Sequence, residues 1–244
     1  MDHNDTNKSK KETLKSYTDY SGLKGTQAKI EQYKNLLDFL IKDCKDLIVE
    51  GIHSNAPYED PEEELERWLD DLKYRKARLY PCDNDELSKL YGYDHGLIIP
   101  DELKTFYEEI GCLEIGADDA ELHLFNPSRV LFAKSFNTFL EDADDFAGLN
   151  QFINKDRYDF LSQNYAYIGR SRSFVGRSYI LLEKSGRGFI TLELDETDYY
   201  GTMDEDVELL CNPETTEFNS LDEAIAQGFF DASDGLLREL GLRD

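Results

Sequence analysis

Histidine and cysteine are the side chains most often used for transition-metal binding and nucleophilic catalysis, and this chain of 244 residues contains four of each. The histidines show none of the short spacings that direct two ligands to one ion, and the cysteines include no close pair that would suggest a zinc knuckle or a redox dithiol. We therefore expect no metal, no cofactor and a reducing compartment. The residues concerned are His3, His53, His95, His123, Cys44, Cys82, Cys112 and Cys211.

Other motifs with a chemical meaning are incomplete. Gly169 to Ser173 reads Gly-Arg-Ser-Arg-Ser and lacks the final glycine of a nucleophile elbow. Gly186-Arg187-Gly188 lacks the Lys-Ser/Thr pair of a phosphate-binding loop, and its setting favours a turn between strands. A calcium loop needs both a set acidic spacing and a glycine at its sixth position, which neither Asp142 with Asp144 nor Asp195 with Asp198 provides. We predict no catalytic residue and a protein that is not an enzyme.

Three arginines stand out against their surroundings. Arg170, Arg172 and Arg177 lie within eight positions of each other, in a segment with glycines and serines that we interpret as a loop. Arginines in such a loop can clamp a carboxylate or a phosphate. The alternative is that they pair with the chain's own carboxylates and relieve its self-repulsion.

The overall charge is strongly negative. Lysine and arginine number 27 against 52 acidic residues, for a formal charge of -25. The excess is concentrated after Cys82, where 13 basic residues face 35 acidic ones, compared with 14 and 17 before that point. Such a chain repels nucleic acid and anionic membranes and attracts basic partners. The alternative is that the acidity only promotes solubility.

Three acidic groups are the candidate binding sites for a basic partner. Each lies at a predicted turn or at the end of a predicted element, where carboxylates are accessible. The first group is Asp118, Asp119 and Glu121; the second is Glu141, Asp142, Asp144 and Asp145; the third is Asp204, Glu205 and Asp206.

The elements that would position these residues are centred on the segment Leu97 to Gly111. Pro100 and the acidic pair after it are typical of a helix N-terminus, and Gly111 is typical of a helix C-terminus. The apolar residues between them recur at spacings of three and four, which predicts one buried face. They are Leu103, Phe106, Tyr107 and Ile110.

The N-terminal part of the chain divides into a tail and a helical hairpin. Residues 1–25 are polar, so we expect them to be poorly ordered and to add little stability. A helical stripe from Thr26 to Ile48, broken near Gly51, and a second helix beginning at Asp60-Pro61 form the predicted hairpin, residues 26–82. This hairpin cannot bury its apolar face alone, so it should pack on the domain that follows or serve as a binding arm.

The rest of the chain predicts an α+β domain with a largely antiparallel sheet and packed helices, residues 83–244. One predicted helix contains Phe136, and two more cover Asp145 to Phe152 and Asp156 to Gln163. A further helix is predicted to follow Phe218-Asn219-Ser220. The predicted strands are Leu113–Ile115, Glu121–Phe125, Val130–Phe132, Tyr165–Ile168, Tyr179–Leu182, Phe189–Leu194 and Val207–Leu210, with a hairpin turn at Ser185–Gly188. The first thirty residues have no apolar core of a signal peptide and no apolar run reaches membrane length, so we expect a cytoplasmic protein without membrane association.

The segment Leu97–Gly111 also resembles the opening helix of the SUKH superfamily, the Smi/Knr-type proteins that include many bacterial immunity proteins. Later features are similar in order, and the resemblance covers roughly Asp83 to Phe230. They are Arg129-Val130, Phe136, Phe139-Leu140, Ile168-Gly169-Arg170-Ser171, Phe218, Leu221 and Ile225.

The resemblance implies an immunity protein that neutralises a cognate protein toxin by binding it, and the acidity favours a basic toxin such as a nuclease. The alternative function is a Smi/Knr-like adaptor in signalling or cell-wall regulation, in which the N-terminal helices recruit another protein.

Overall fold

The structure is a computed structural model that describes residues 3–55, 61–92, 96–117, 120–132, 155–173, 176–195 and 214–243. Within these ranges the chain has an α+β fold, in which helices pack against one sheet. No helix of the described residues is both long and apolar enough to cross a membrane.

The sheet is an antiparallel meander in which seven strands of the described residues follow their order in the chain. Every neighbouring pair is antiparallel, so each strand needs only a return connection to reach the next. The strands are β1 Arg78–Tyr80, β2 Cys112–Ala117, β3 Ala120–Leu124, β4 Tyr165–Ser173, β5 Gly176–Glu183, β6 Phe189–Asp195 and β7 Glu214–Phe218.

Among the described helices, four precede the sheet in the chain, four lie between its strands and one follows it. The N-terminal group is α1 His3–Tyr17, α2 Thr26–Asp43, α3 Lys45–Asn55 and α4 Pro61–Tyr74. The remaining helices are α5 Asn84–Gly92, α6 Asp101–Glu109, α7 Pro127–Phe132, α8 Lys155–Asn164 and α9 Leu221–Glu239.

Helix α9 is the centre of the core. On one side Gly228 lies so close to Leu122 of the sheet that an added Cβ would be 2.6 Å from the leucine methyl. On the other side Phe229 meets the rings of Tyr20 and Tyr33 from the N-terminal segment. A helix covered on both sides must bury most of its surface, which explains the run of buried residues from Phe229 to Leu237, interrupted only at Phe230. The molecule therefore stacks sheet, α9 and N-terminal helices as three layers.

The helix predicted after Pro100 is confirmed as α6, and its predicted apolar face is buried. Its Glu102 has a further role, because the carboxylate accepts a hydrogen bond of 2.7 Å from the Leu221 amide at the start of α9. The predicted hairpin around Gly186 is also confirmed as the β5–β6 connection, with Gly186 at a φ of 74°. Ser220 is the N-cap of α9, as the sequence indicates.

Several predicted elements differ from the structure. Val130–Phe132 is not a strand but the end of α7, because Pro127 begins a helix rather than a turn. The predicted helix from Thr26 is two helices that meet at Cys44, and Gly51 lies inside α3. The predicted elements at 136–152 and 207–210 lie outside the described residues. Residues 214–218 form β7, a strand that was not predicted.

The N-terminal segment is the largest correction. Residues 1–25 were expected to form a loose polar tail, but α1 is helical and Leu14 and Tyr20 are each only 2% exposed. Tyr20 makes a buried hydrogen bond of 2.7 Å to Ser233 of α9. The edge strand β1 also precedes the predicted boundary at Cys82 and pairs with β2. The N-terminal residues up to Gly25 thus contribute Leu14 and Tyr20 to the core.

Candidate functional site

The face of the sheet opposite α9 carries a polar row that runs across four strands. Directly paired residues lie on the same side of a sheet, and here the register pairs Arg78 with Glu114, Glu114 with His123, and His123 with Arg170. Cys112 lies on the same side, two residues before Glu114 in β2. The register therefore brings together side chains that are far apart in the sequence.

Three of these side chains converge on one point. The Cys112 sulfur lies 3.7 Å from His123 Nε2, and the same nitrogen lies 3.5 Å from Glu114 Oε1. All three donor atoms lie within 4.8 Å of one another, and no other group of this kind is found in the part of the chain that the structure describes. Cys112 is buried, whereas Glu114 and His123 are partly accessible, so the cluster opens to solvent on the Glu114 side.

The Glu114 carboxylate is held in place by its outer oxygen. Oε2 accepts a hydrogen bond of 3.2 Å from the Tyr80 hydroxyl and lies 3.6 Å from the Arg78 guanidinium. Oε1 is left to face His123. Strand β1 reaches this position because Gly111 has no side chain, and a Cβ there would lie 2.2 Å from the Tyr80 carbonyl oxygen.

The His123 ring is positioned by aromatic contacts. Its centroid lies 4.7 Å from that of Phe125 in an edge-to-face arrangement, and Phe125 packs in the same way on Tyr167. These contacts fix the plane of the ring beside the cluster. Burial, together with the charges of Glu86 and Cys112, raises the pKa of the neighbouring Cys82 thiol to about 11.

The geometry argues against a cysteine–histidine–carboxylate catalytic triad. In a triad the base uses one ring nitrogen for the nucleophile and the other for the carboxylate that orients it. Here the thiol and the carboxylate both approach Nε2. Donors that share one focal point are instead the arrangement of ligands around a metal ion.

Comparison of the chain with protein-family models, with curated proteins and with solved structures finds no match. The site is therefore interpreted from its own geometry.

The predicted arginine clamp is only partly assembled. Arg170 and Arg172 do not lie in a loop but in β4, and Arg177 lies in β5, where it pairs in register with Arg172. Arg170 Nε is 2.9 Å from Glu121 Oε1, so this arginine pairs with one of the chain's own carboxylates. The alternative reading of the sequence is thus the correct one for Arg170.

Most of the predicted acidic groups cannot be placed. Glu121 lies in β3, partly buried and paired with Arg170, so it is not a free surface carboxylate. The other members of the three groups lie outside the described residues. They are Asp118, Asp119, Glu141, Asp142, Asp144, Asp145, Asp204, Glu205 and Asp206.

Two exposed tyrosines next to carboxylates form a feature that the sequence did not indicate. Tyr80 donates to Glu114, and Tyr91 donates a hydrogen bond of 2.9 Å to Glu108. Both rings are more than 40% exposed. The hydrogen bond to Glu108 adds to desolvation in raising the pKa of Tyr91 to about 12. An aromatic face beside a carboxylate is a suitable surface for an arginine or lysine side chain.

The cluster of Cys112, Glu114 and His123 was missed because its spacing is set by strand register. The sequence signal would have been the β2–β3 hairpin itself. Once Ala117 is paired with Ala120, Glu114 and His123 fall opposite each other and Cys112 falls on the same face.

Proposed function

We propose that this chain is a non-enzymatic immunity protein that binds and neutralises a basic protein toxin, as the SUKH resemblance implies. The observation that carries the proposal is the charge of the molecule after its internal ion pairs are considered. Many basic side chains of the described residues pair with the chain's own carboxylates, so the surplus of acidic residues sets the external field. Examples are Lys10–Asp46, Lys29–Asp222, Arg75–Glu239, Lys89–Asp85, Arg187–Glu183 and Arg238–Asp234.

A negative field accelerates the approach of a basic partner, but affinity depends on a few anchors within the contact. Tyr91 and its hydrogen-bonded Glu108 supply such an anchor, since the exposed ring can stack on a guanidinium while the carboxylate pairs with it. We expect the charged rim from the acidic groups predicted above, apart from Glu121, which is paired with Arg170. Recognition then needs no reaction chemistry from this chain.

The proposal is tested with the protein toxin encoded next to this chain's gene. We expect tight binding, with an association rate that falls steeply as salt rises from low to physiological concentration, because the Debye length shortens to about 8 Å. Reversing the charges of Asp118 with Asp119, of Glu141 to Asp145, or of Asp204 to Asp206 should slow association in at least one case. Tyr91→Ala should mainly increase the dissociation rate.

The control reverses three solvent-accessible carboxylates on the N-terminal helices, Glu12, Glu31 and Asp38, and so equals the reversal of Asp204, Glu205 and Asp206 in charge. It changes net charge without touching the candidate rim. A rate that is independent of salt, or that responds equally to all reversals and the control, would contradict the proposal. Binding to a signalling or cell-wall protein instead would favour the adaptor function.

A further inference from the structure

Cys112, Glu114 and His123 present a thiol, a carboxylate and an imidazole to a common centre. Zinc binds these donors at about 2.3 Å for sulfur, 2.0–2.1 Å for nitrogen and 2.0–2.2 Å for oxygen. In a tetrahedral site such bonds separate neighbouring donors by roughly 3.3–3.6 Å. The observed 3.7 Å from sulfur to nitrogen and 3.5 Å from nitrogen to oxygen are close to these values.

We propose that Cys112, Glu114 and His123 bind one zinc ion, with a water molecule in the fourth position on the solvent-accessible side of Glu114. This reverses the expectation from the sequence, which rested only on the absence of a short linear motif. The proposal does not depend on the toxin-binding function, and either can fail without the other.

The donor set selects the metal. A thiolate and an imidazole favour zinc over magnesium or calcium, which prefer sites built from oxygen ligands. One thiolate and one carboxylate also neutralise a divalent charge. The bound state is therefore neutral in a setting where the adjacent cation, Arg78, is already held against Glu114.

Neighbouring side chains already hold two of the three ligands in place. Metal-binding carboxylates are usually hydrogen-bonded through their other oxygen, as Glu114 is through Tyr80 and Arg78. Phe125 sets the plane of the His123 ring. Because the three ligands lie on β2 and β3 and the supporting groups on β1, zinc would link the edge strand to the adjoining hairpin.

The first experiment uses the full chain, purified without chelators. We expect one zinc ion per chain by elemental analysis. Removal of zinc and addition of cobalt should produce the thiolate charge-transfer band and the visible bands of tetrahedral Co²⁺. Absence of both the zinc and the cobalt spectrum in folded protein would overturn the proposal.

Variants then assign the ligands. Cys112→Ser should abolish the charge-transfer band, and His123→Gln or Glu114→Gln should weaken binding by more than the about 10- to 100-fold typical of outer-shell changes. Cys82→Ser should keep the band, because Cys82 is not a member of the cluster. Loss of the band in Cys82→Ser with retention in Cys112→Ser would overturn the assigned ligand set.

Matched controls separate ligand loss from general damage. Cys44→Ser removes another buried thiol, and Glu109→Gln removes an exposed carboxylate of α6; neither should change zinc affinity. Tyr80→Phe should weaken binding about 10-fold by releasing Glu114, whereas Tyr91→Phe, which loses the equivalent bond to Glu108, should not. Equal losses in both tyrosine variants would show that the effect is not specific to the cluster.

Discussion

Asp231 of α9 is a buried carboxylate without a basic partner among the hydrogen bonds and ion pairs found for it. Ser171 donates a hydrogen bond of 2.7 Å to Asp231 Oδ2, and Gln227 donates one of 2.7 Å to Oδ1. Glu193 and Asp234 lie near enough to repel the charge of Asp231. Burial is the dominant effect and raises the pKa of Asp231 from 3.8 to about 6, despite the two hydrogen bonds. The folded state therefore holds a proton that the unfolded state releases at lower pH.

This environment predicts a pH dependence of stability. Because the pKa is raised in the folded state, the favourable contribution is complete below pH 3.8 and is lost as pH rises through about 6. This rise in the pKa of Asp231 corresponds to a loss on the order of 3 kcal/mol in the free energy of unfolding at neutral pH. Urea denaturation measures the free energy of unfolding of wild type and of Asp231→Asn. Between pH 4 and pH 7 wild type should lose on the order of 3 kcal/mol relative to the variant, which has no carboxyl group to titrate at this position.

Asp101→Asn is the control for this comparison, since it removes an exposed carboxylate and changes the net charge equally. A constant stability difference between Asp231→Asn and wild type across this range would mean that Asp231 titrates equally in both states.

At this scale the sequence indicates which residues are available but not which ones meet. Cys112, Glu114 and His123 have no motif spacing, because two of them are joined by the register of β2 with β3. Ser171 and Asp231, sixty positions apart, are joined by the packing of α9 on β4. Contacts of this kind depend on tertiary structure, which local periodicity does not encode.

At the scale of elements, the segment around Gly169 shows why a polar stretch can be mistaken for a loop. Its arginines and serines alternate, so β4 continues through Ser173 with Arg170 on the polar face and Ser171 toward α9. Arg170 has Glu121 as its partner on one face, and Ser171 has Asp231 on the other. A strand with polar residues on both faces is stable when both faces supply such partners.

The ion pair of Lys29 in α2 with Asp222 in α9 predicts that mutating its two members will cost different amounts of stability. Lys29 is fully buried, and its ammonium group donates to Asp222 at 2.6 Å and to the Leu23 carbonyl at 3.0 Å. Asp222→Asn should destabilise by up to about 3–5 kcal/mol, because it leaves a buried charge without its counterion. Lys29→Met should cost closer to about 1 kcal/mol, since the remaining carboxylate is partly exposed and can hydrate.

Chemical denaturation of both variants measures the difference. Asn at position 222 can still accept the hydrogen bond of the Gly25 amide, so the comparison isolates the charge. The order of the two effects is the test, and a larger loss in Lys29→Met would mean that packing rather than charge dominates at this contact.

At the scale of the molecule, the fold class and the elements with clear ends were predictable. The helix after Pro100, the β5–β6 hairpin and the start of α9 all combine a strong periodicity with a capping or turn residue. The N-terminal helix α1 was not predicted because it is mostly polar, with Leu14 buried in the core and Tyr17 partly buried against it. Its helical structure depends on packing against α2 and on the ion pair of Lys10 with Asp46 of α3.

Removal of α1 should therefore weaken the whole molecule. Leu14→Ala is expected to cost about 2–5 kcal/mol and to lower Tm by roughly 4 °C or more, while Lys8→Ala on the exposed surface of the same helix should have no effect. Deletion of residues 1–25 should lower Tm further, because it also removes Tyr20 from Ser233 and from the Phe229 ring. Thermal unfolding followed by circular dichroism measures all three.

The outcome of the deletion bears on function as well as on stability. If the shortened chain melts like the full one, the N-terminal segment is an independent arm, and the adaptor function, in which these helices recruit another protein, gains support. If Tm falls as expected, the exposed residues of α1 remain available to a partner, but the N-terminal segment cannot detach without exposing the Phe229 ring that Tyr20 contacts. Partner recognition would then be tested away from α1, with the charge reversals and with Tyr91→Ala, whose effects on binding can be separated from effects on folding.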